Sequence, residues 1–144
     1  MLLLDIISEE GEKMGFVLMF HSIIRWVIVV VGVFALVKFL VGWARKSEYS
    51  KMDRGLSSGF SGLMDLQVTL GFIYFFWNGL AGGAGFPMFR IEHMITMLIA
   101  AGVAHAPSFM KKAGNKFAVG TLAILGAMIL IVIGVAILPG GWSR

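Results

Sequence analysis

The chain has 144 residues, 58% of them hydrophobic, no cysteine, and 12 Lys and Arg against 8 Asp and Glu, for a formal net charge of +4. Its length suits one domain, while a mean hydropathy of +0.89 is too high for an ordinary soluble one. The absence of thiols excludes disulfides, iron–sulfur clusters and thiolate metal sites. The basic residues fall at helix ends rather than on one face, which argues against a nucleic-acid partner and for a lipid bilayer.

The hydrocarbon core of a bilayer needs about 20 apolar residues per helix, and four stretches qualify, roughly 16–43, 58–78, 89–106 and 117–138. The expected fold class is therefore all-α: an integral membrane four-helix bundle, a single domain over 1–144, multi-pass in the inner (cytoplasmic) membrane. The connecting segments 44–57 and 79–88 are short, so chemistry has to occur inside the bundle. Arg45, Lys46, Lys51 and Arg54 follow the first span, and Lys111, Lys112 and Lys116 follow the third. The positive-inside rule makes both loops cytoplasmic. The N-terminal tail, with Asp5, Glu9, Glu10 and Glu12 against Lys13, and the C-terminal stretch Gly140 to Arg144 are then outside.

Residues 1–13 hold too few apolar positions to span, and they lack the basic start and small-residue cleavage site of a signal peptide. Two readings are open. They lie on the membrane surface, or they are untranslated, because Glu9-Glu10-Gly11-Glu12-Lys13 corresponds to purine-rich codons resembling a ribosome-binding site ahead of Met14. The first span places His21, Ser22 and Arg25 in its outer part and Lys38 near its inner end, where a lysine can snorkel to the headgroups. Arg25 lies roughly 12 Å below the outer boundary and needs a partner.

The second span carries two polar stripes, Gly62, Asp65 and Thr69 on one face and Gln67, Gly71, Tyr74 and Asn78 on another. Asp65 and Arg25 differ by only about 8 Å in depth, so a tilted bundle can join them. Gln67 and Asn78 are read as hydrogen-bonding to neighbouring helices. The loop Gly79 to Pro87 is glycine-rich but lacks the Lys and Ser/Thr of a phosphate-binding loop.

The third span is the shortest and the most polar, with Arg90, Glu92, His93 and Thr96 at its outer end and His105 at its inner end. Its Ala100, Ala101, Gly102 and Ala104 permit close helix approach. His105 beside Pro107 reads as a C-terminal cap or a donor to lipid phosphate. The fourth span carries Gly120, Ala127 and Gly134 at heptad spacing, a seam for packing either within one chain or across a homo-oligomer. Trp43, Trp77 and Trp142 mark apparent boundaries, as an aromatic belt does.

An ionisable residue inside a membrane is expensive and normally marks a site. The first and third spans both enter from outside, which puts His21 and His93 at one depth, about 6 Å inside the outer boundary. Two imidazoles at one level can ligate the iron of a haem b from both sides. In that reading Arg25 and Arg90 neutralise propionates, Glu92 orients an imidazole N–H, and Gly32 or the alanines of the third span leave room for the macrocycle. Electron transfer then follows, with a quinone or a larger respiratory or photosynthetic complex as partner. Two alternatives stand beside it. Arg25, Asp65 and Glu92 form a buried charge network that only fixes helix order in an accessory or assembly subunit, or the polar set Asp65, Gln67 and His105 belongs to quinone, ion or proton handling.

Three segments together carry a resemblance: His21-Ser22-Ile23-Ile24-Arg25-Trp26, Asp65-Leu66-Gln67 through Leu70-Gly71 to Tyr74-Phe75, and Glu92-His93 through Met97 to Ala104-His105. From Met14 onward the chain resembles a widespread group of small four-helix bacterial membrane proteins, mostly uncharacterised, some labelled cytochrome-b-like. The resemblance implies a shared site at His21, Arg25, Asp65, Gln67, Glu92, His93 and His105. Met94 stands where that group's pattern has proline after the Glu-His pair.

Overall fold

The computed structural model describes residues 2–110, 112 and 114–143, with backbone alone for 2–8 and 10. Met1, Lys111, Arg144 and the side chains of Asp5 and Glu10, named above for the start site and the topology, lie outside the described residues. Every regular element is helical: α1 (Leu2–Ala44), α2 (Lys51–Leu80), α3 (Met88–Ala104), the single turn α4 (Ala106–Phe109), α5 (Lys116–Ile137) and a closing 3-10 turn (Gly141–Ser143). Three helices are long and apolar enough to cross a membrane: α1 over Gly11–Ala44, α2 and α5. Much of their surface is outward-facing and apolar, with Val30, Phe34, Val37, Ile73, Leu122 and Val132 all exposed.

Two helices start earlier than their apolar runs suggest. α1 is continuous from Leu2, so residues 2–13 are helical and run on into the first span. No proline interrupts it, and Glu9 pairs with Lys13 at 2.8 Å, the favourable i,i+4 order with the acid first. α2 starts at Lys51 because Ser50 and Asp53 form a reciprocal capping box. The Ser50 side chain accepts from the Asp53 N–H, and Asp53 Oδ2 accepts from the Ser50 N–H at 2.8 Å.

Asp53 also corrects the reading of Lys38. Rather than reaching the headgroups, Lys38 donates from α1 to the buried Asp53 carboxylate of α2. Beside this pair the rings of Phe39, Tyr49 and Phe117 meet edge-on or tilted, at centroid distances of 5.0 to 6.0 Å. Gly42 makes room for Phe117 and Gly120 for Phe39; a Cβ on either would stand 2.6 to 2.7 Å from the ring carbons. One end of the molecule is thereby closed by an aromatic cluster and an ion pair.

α1 packs on α2 and α5, and α3 packs on the same two helices. The core runs through Ile28, Ala35, Phe60, Met64, Ala100, Ala104, Ile124 and Ala127. The seam of small residues on α5 is satisfied within the chain, since Gly120 meets Phe39 of α1, Ala127 is fully buried and Gly134 meets Met97 and Thr96 of α3. Gly32 faces Met128 and Phe60, and Ala100, Ala101 and Ala104 are core. None of these leaves the space for a macrocycle that was expected of them.

The third apolar stretch gives a shorter helix than expected. α3 ends at Ala104 after 17 residues, about 26 Å of helix. His105 caps it, with its N–H directed at the Ala101 and Gly102 carbonyls. Pro107 has no N–H to continue the ladder, and the chain restarts as the single turn α4 with that proline in its first positions. Below the end of α3, α4 takes its place against α5.

Candidate functional site

A cavity of about 300 Å³ lies between α1, α2, α3 and α5, toward the end where α2 turns into α3. His21 and Arg25 of α1, Gln67 and Gly71 of α2, and Arg90 and His93 of α3 line it, with α5 closing the wall at Ile131 and Val135. On α3 the inward residues Arg90, His93, Met94 and Met97 follow helical spacing along one face. Polar groups are few and the remaining wall is apolar, the general character of a small-molecule site.

The two imidazoles meet across this space with centroids 6.5 Å apart and planes inclined at 69°. Each is held by a different helix. His21 Nε2 lies 3.2 Å from Gln67 Nε2; with the amide as donor, the ring proton of His21 sits on Nδ1. The ring can rest on α2 because residue 71 is glycine, where a Cβ would stand 3.2 Å from His21 Cε1. His93 donates from Nδ1 to the Gly134 carbonyl of α5 at 2.7 Å, which leaves its Nε2 as an acceptor.

The two arginines are held against aromatic faces. Arg25 lies 5.4 Å from the Trp142 ring and 5.7 Å from Trp26, so Trp142 is stacked inside the fold rather than serving only as a boundary marker. Arg90 donates from Nη1 to the Gly85 carbonyl at 2.9 Å and sits over Tyr74 and Phe75. His21 Nδ1, Gln67 Oε1 and Arg90 Nη2, buried polar atoms of lining side chains, find no hydrogen-bond partner among the described residues. Each such atom costs about 1–3 kcal/mol if left unmatched. Their concentration around one cavity gives a donor, an acceptor and a cationic donor waiting for a guest.

Of the residues singled out from sequence, the structure gathers His21, Arg25, Gln67, Arg90 and His93 here. It separates Glu92, Asp65 and His105. The Glu92 side chain is exposed and outside the lining, and the Gly134 carbonyl holds the imidazole that Glu92 was expected to orient. Asp65 pairs with His105 at 2.9 Å rather than with Arg25, so His105 holds the C-cap position of α3 through its backbone while its side chain meets a carboxylate of α2. Asn78 and Tyr74 line the same cavity; their helical spacing with Gln67 and Gly71 was the signal that pointed to this face.

Haem ligation requires a ring nitrogen of each histidine within about 2 Å of one metal ion. Here His21 Nε2 lies against Gln67 Nε2, so ligation through that nitrogen would break the contact with α2. Among the described residues there is no cluster of three or more His, Cys, Asp or Glu able to hold a metal ion. The unmatched polar atoms can serve a small hydrogen-bonding head group, and the two imidazoles are the pair that the sequence singled out for a haem.

Gly71→Ala isolates the role of this wall. Alanine favours the helix by about 1 kcal/mol over glycine, while its Cβ pushes the His21 ring off Gln67. The expected result is an unchanged or slightly raised thermal midpoint together with severalfold weaker guest binding. A loss of stability with binding intact refutes this account of Gly71.

Comparison with protein-family models, with curated proteins and with solved structures gives no match to this chain. The functional reading therefore rests on the site itself.

Proposed function

We propose that the chain is a four-helix transmembrane bundle of the inner membrane, with both termini outside, that binds a lipophilic carbonyl-bearing molecule of the quinone class in the cavity between its helices. In this reading α3, extended by α4, completes the fourth crossing. The topology is supported by the charge pattern, since Arg45, Lys46, Lys51, Arg54, Lys112 and Lys116 all follow the ends of α1 and α3.

The observation that carries the ligand class is the set of partnerless atoms on His21, Gln67 and Arg90 around an otherwise apolar space. A quinone presents two carbonyl acceptors on a flat apolar ring, and the corresponding quinol presents two hydroxyl donors. His21 Nδ1–H and Arg90 Nη2 suit the first form, and Gln67 Oε1 with His93 Nε2 suits the second. A donor aimed at a quinone oxygen stabilises the negative charge that arrives with an electron. The electrons themselves belong to a partner, a respiratory or photosynthetic complex drawing on the same lipid-soluble pool.

Calorimetric titration of the purified protein with a short-chain ubiquinone analogue tests the reading. Saturable one-to-one binding, weakened about tenfold in Arg90→Gln, is expected, which corresponds to about 1.4 kcal/mol. No binding to the native chain sinks it.

A second reading, haem b between His21 and His93 serving electron transfer, is favoured by one observation, the 6.5 Å separation of the rings, which is close to that of two imidazoles on either side of one metal ion. Here the discriminating measurement is a reduced-minus-oxidised optical spectrum of protein purified from haem-replete cells. A b-type band supports haem; a colourless folded preparation that still binds the quinone analogue leaves only the first reading.

A further inference from the structure

The early end of α3 leaves a second, separate crevice at the opposite end of the molecule. It measures about 240 Å³ and is lined by Tyr49, Arg54, Ser57 and Ser58 at the start of α2, Ser108 of α4 and Lys116 at the start of α5. No carboxylate lines it. Arg54 and Lys116 form no ion pair among the described residues, and the nearby Asp53 is already committed to Lys38 and Ser50. Two uncompensated cations therefore converge with serine hydroxyls on a concave space.

The local backbone adds to this charge. Lys116 is the first residue of the 22-residue α5, whose opening N–H groups carry the positive end of the helix dipole. Asn115 accepts from the Ala118 N–H, which leaves the first N–H groups of the helix for another acceptor. Directly outside the crevice, Phe109 is 81% exposed and Met110, which also lines it, 52% exposed. Those two side chains are apolar surface beside a hollow lined by two cations.

We propose that this crevice binds a phosphate group, held by Arg54 and Lys116 with Ser58 and Ser108 as neutral donors. An anionic phospholipid headgroup and a free phosphate offer the same chemistry. The lipid also covers Phe109 and Met110 with its chains and fills the volume that a longer α3 would have taken. Basic hollows between helices on the cytoplasmic side are the usual setting for such headgroups.

The test is the thermal midpoint of the full chain in neutral detergent, measured with added phosphatidylglycerol, with diacylglycerol carrying the same chains but no phosphate, and with inorganic phosphate. The same series is run on the Arg54→Gln/Lys116→Gln variant, whose two positions are exposed and whose midpoint without additive is expected to match the native one. A rise of several degrees with phosphatidylglycerol alone, absent from the variant, identifies the lipid. A rise with inorganic phosphate as well, again absent from the variant, identifies the phosphate group whatever carries it. Equal responses to phosphatidylglycerol and diacylglycerol, a response that survives in the variant, or no response at all overturns the proposal. The crevice lies apart from the quinone cavity, so none of these outcomes depends on what binds there.

Discussion

Asp53→Ala is expected to lower the unfolding free energy by about 3–5 kcal/mol, the range for removing one partner of a buried ion pair. The carboxylate side chain is 3% exposed and that of Lys38 is 26% exposed, so the lysine left behind stays largely covered and loses its partner. The same change removes half of the capping box, worth about 1 kcal/mol. Asp53→Asn separates the two contributions, because an amide oxygen still accepts from the Ser50 N–H while the charge is lost. Chemical unfolding in mixed micelles measures both, with the order native, Asn, Ala expected. A loss below about 1 kcal/mol for Ala means that the pair is a surface contact and does not fasten the two helices.

Gln67→Leu is expected to weaken binding of the quinone analogue by about 10- to 100-fold, or about 1.4–2.7 kcal/mol. Leucine keeps roughly the volume but removes both the amide that fixes His21 and the free Oε1. His21→Phe removes the other side of the same contact. The two changes together are expected to cost little more than either alone, with a coupling of at least about 1 kcal/mol in a double-mutant cycle. Simple additivity shows that the guest does not engage His21 through its bond to Gln67.

The sequence made the meeting of His21 and His93 legible because depth in two spans that enter from the same side follows from counting residues. It did not reveal where Glu92 points, although the rule was at hand. Adjacent residues on a helix are turned by about 100°, so a chain that sends His93 inward, in register with Arg90 and Met97, sends Glu92 to the side. Asp65 and Gln67 are two apart on α2 and face different neighbours for the same reason. The partner of Asp65 was not accessible from depth alone. Pairing it with His105 requires knowing that α3 stops at Ala104 rather than at 106, and helix ends are the least determined feature of an apolar run. The start of α2 was legible in principle through the spacing of Ser50 and Asp53, but the charged stretch around them reads as loop when only hydropathy is followed. The direction of the His21 nitrogens was out of reach, since it depends on Gly71 admitting the ring to the surface of α2.

Glycines 82, 83 and 85 lie in the connection from α2 to α3, and Gly83 and Gly85 adopt positive φ of 67° and 61°. At the far end, Phe39, Tyr49, Phe117 and the Lys38–Asp53 pair clamp α1, α2 and α5. The far end therefore joins α1, α2 and α5 independently of the cavity, while at the near end Phe86 packs on Phe75 and Arg90 donates to the Gly85 carbonyl, so the turn itself forms part of the cavity's rim.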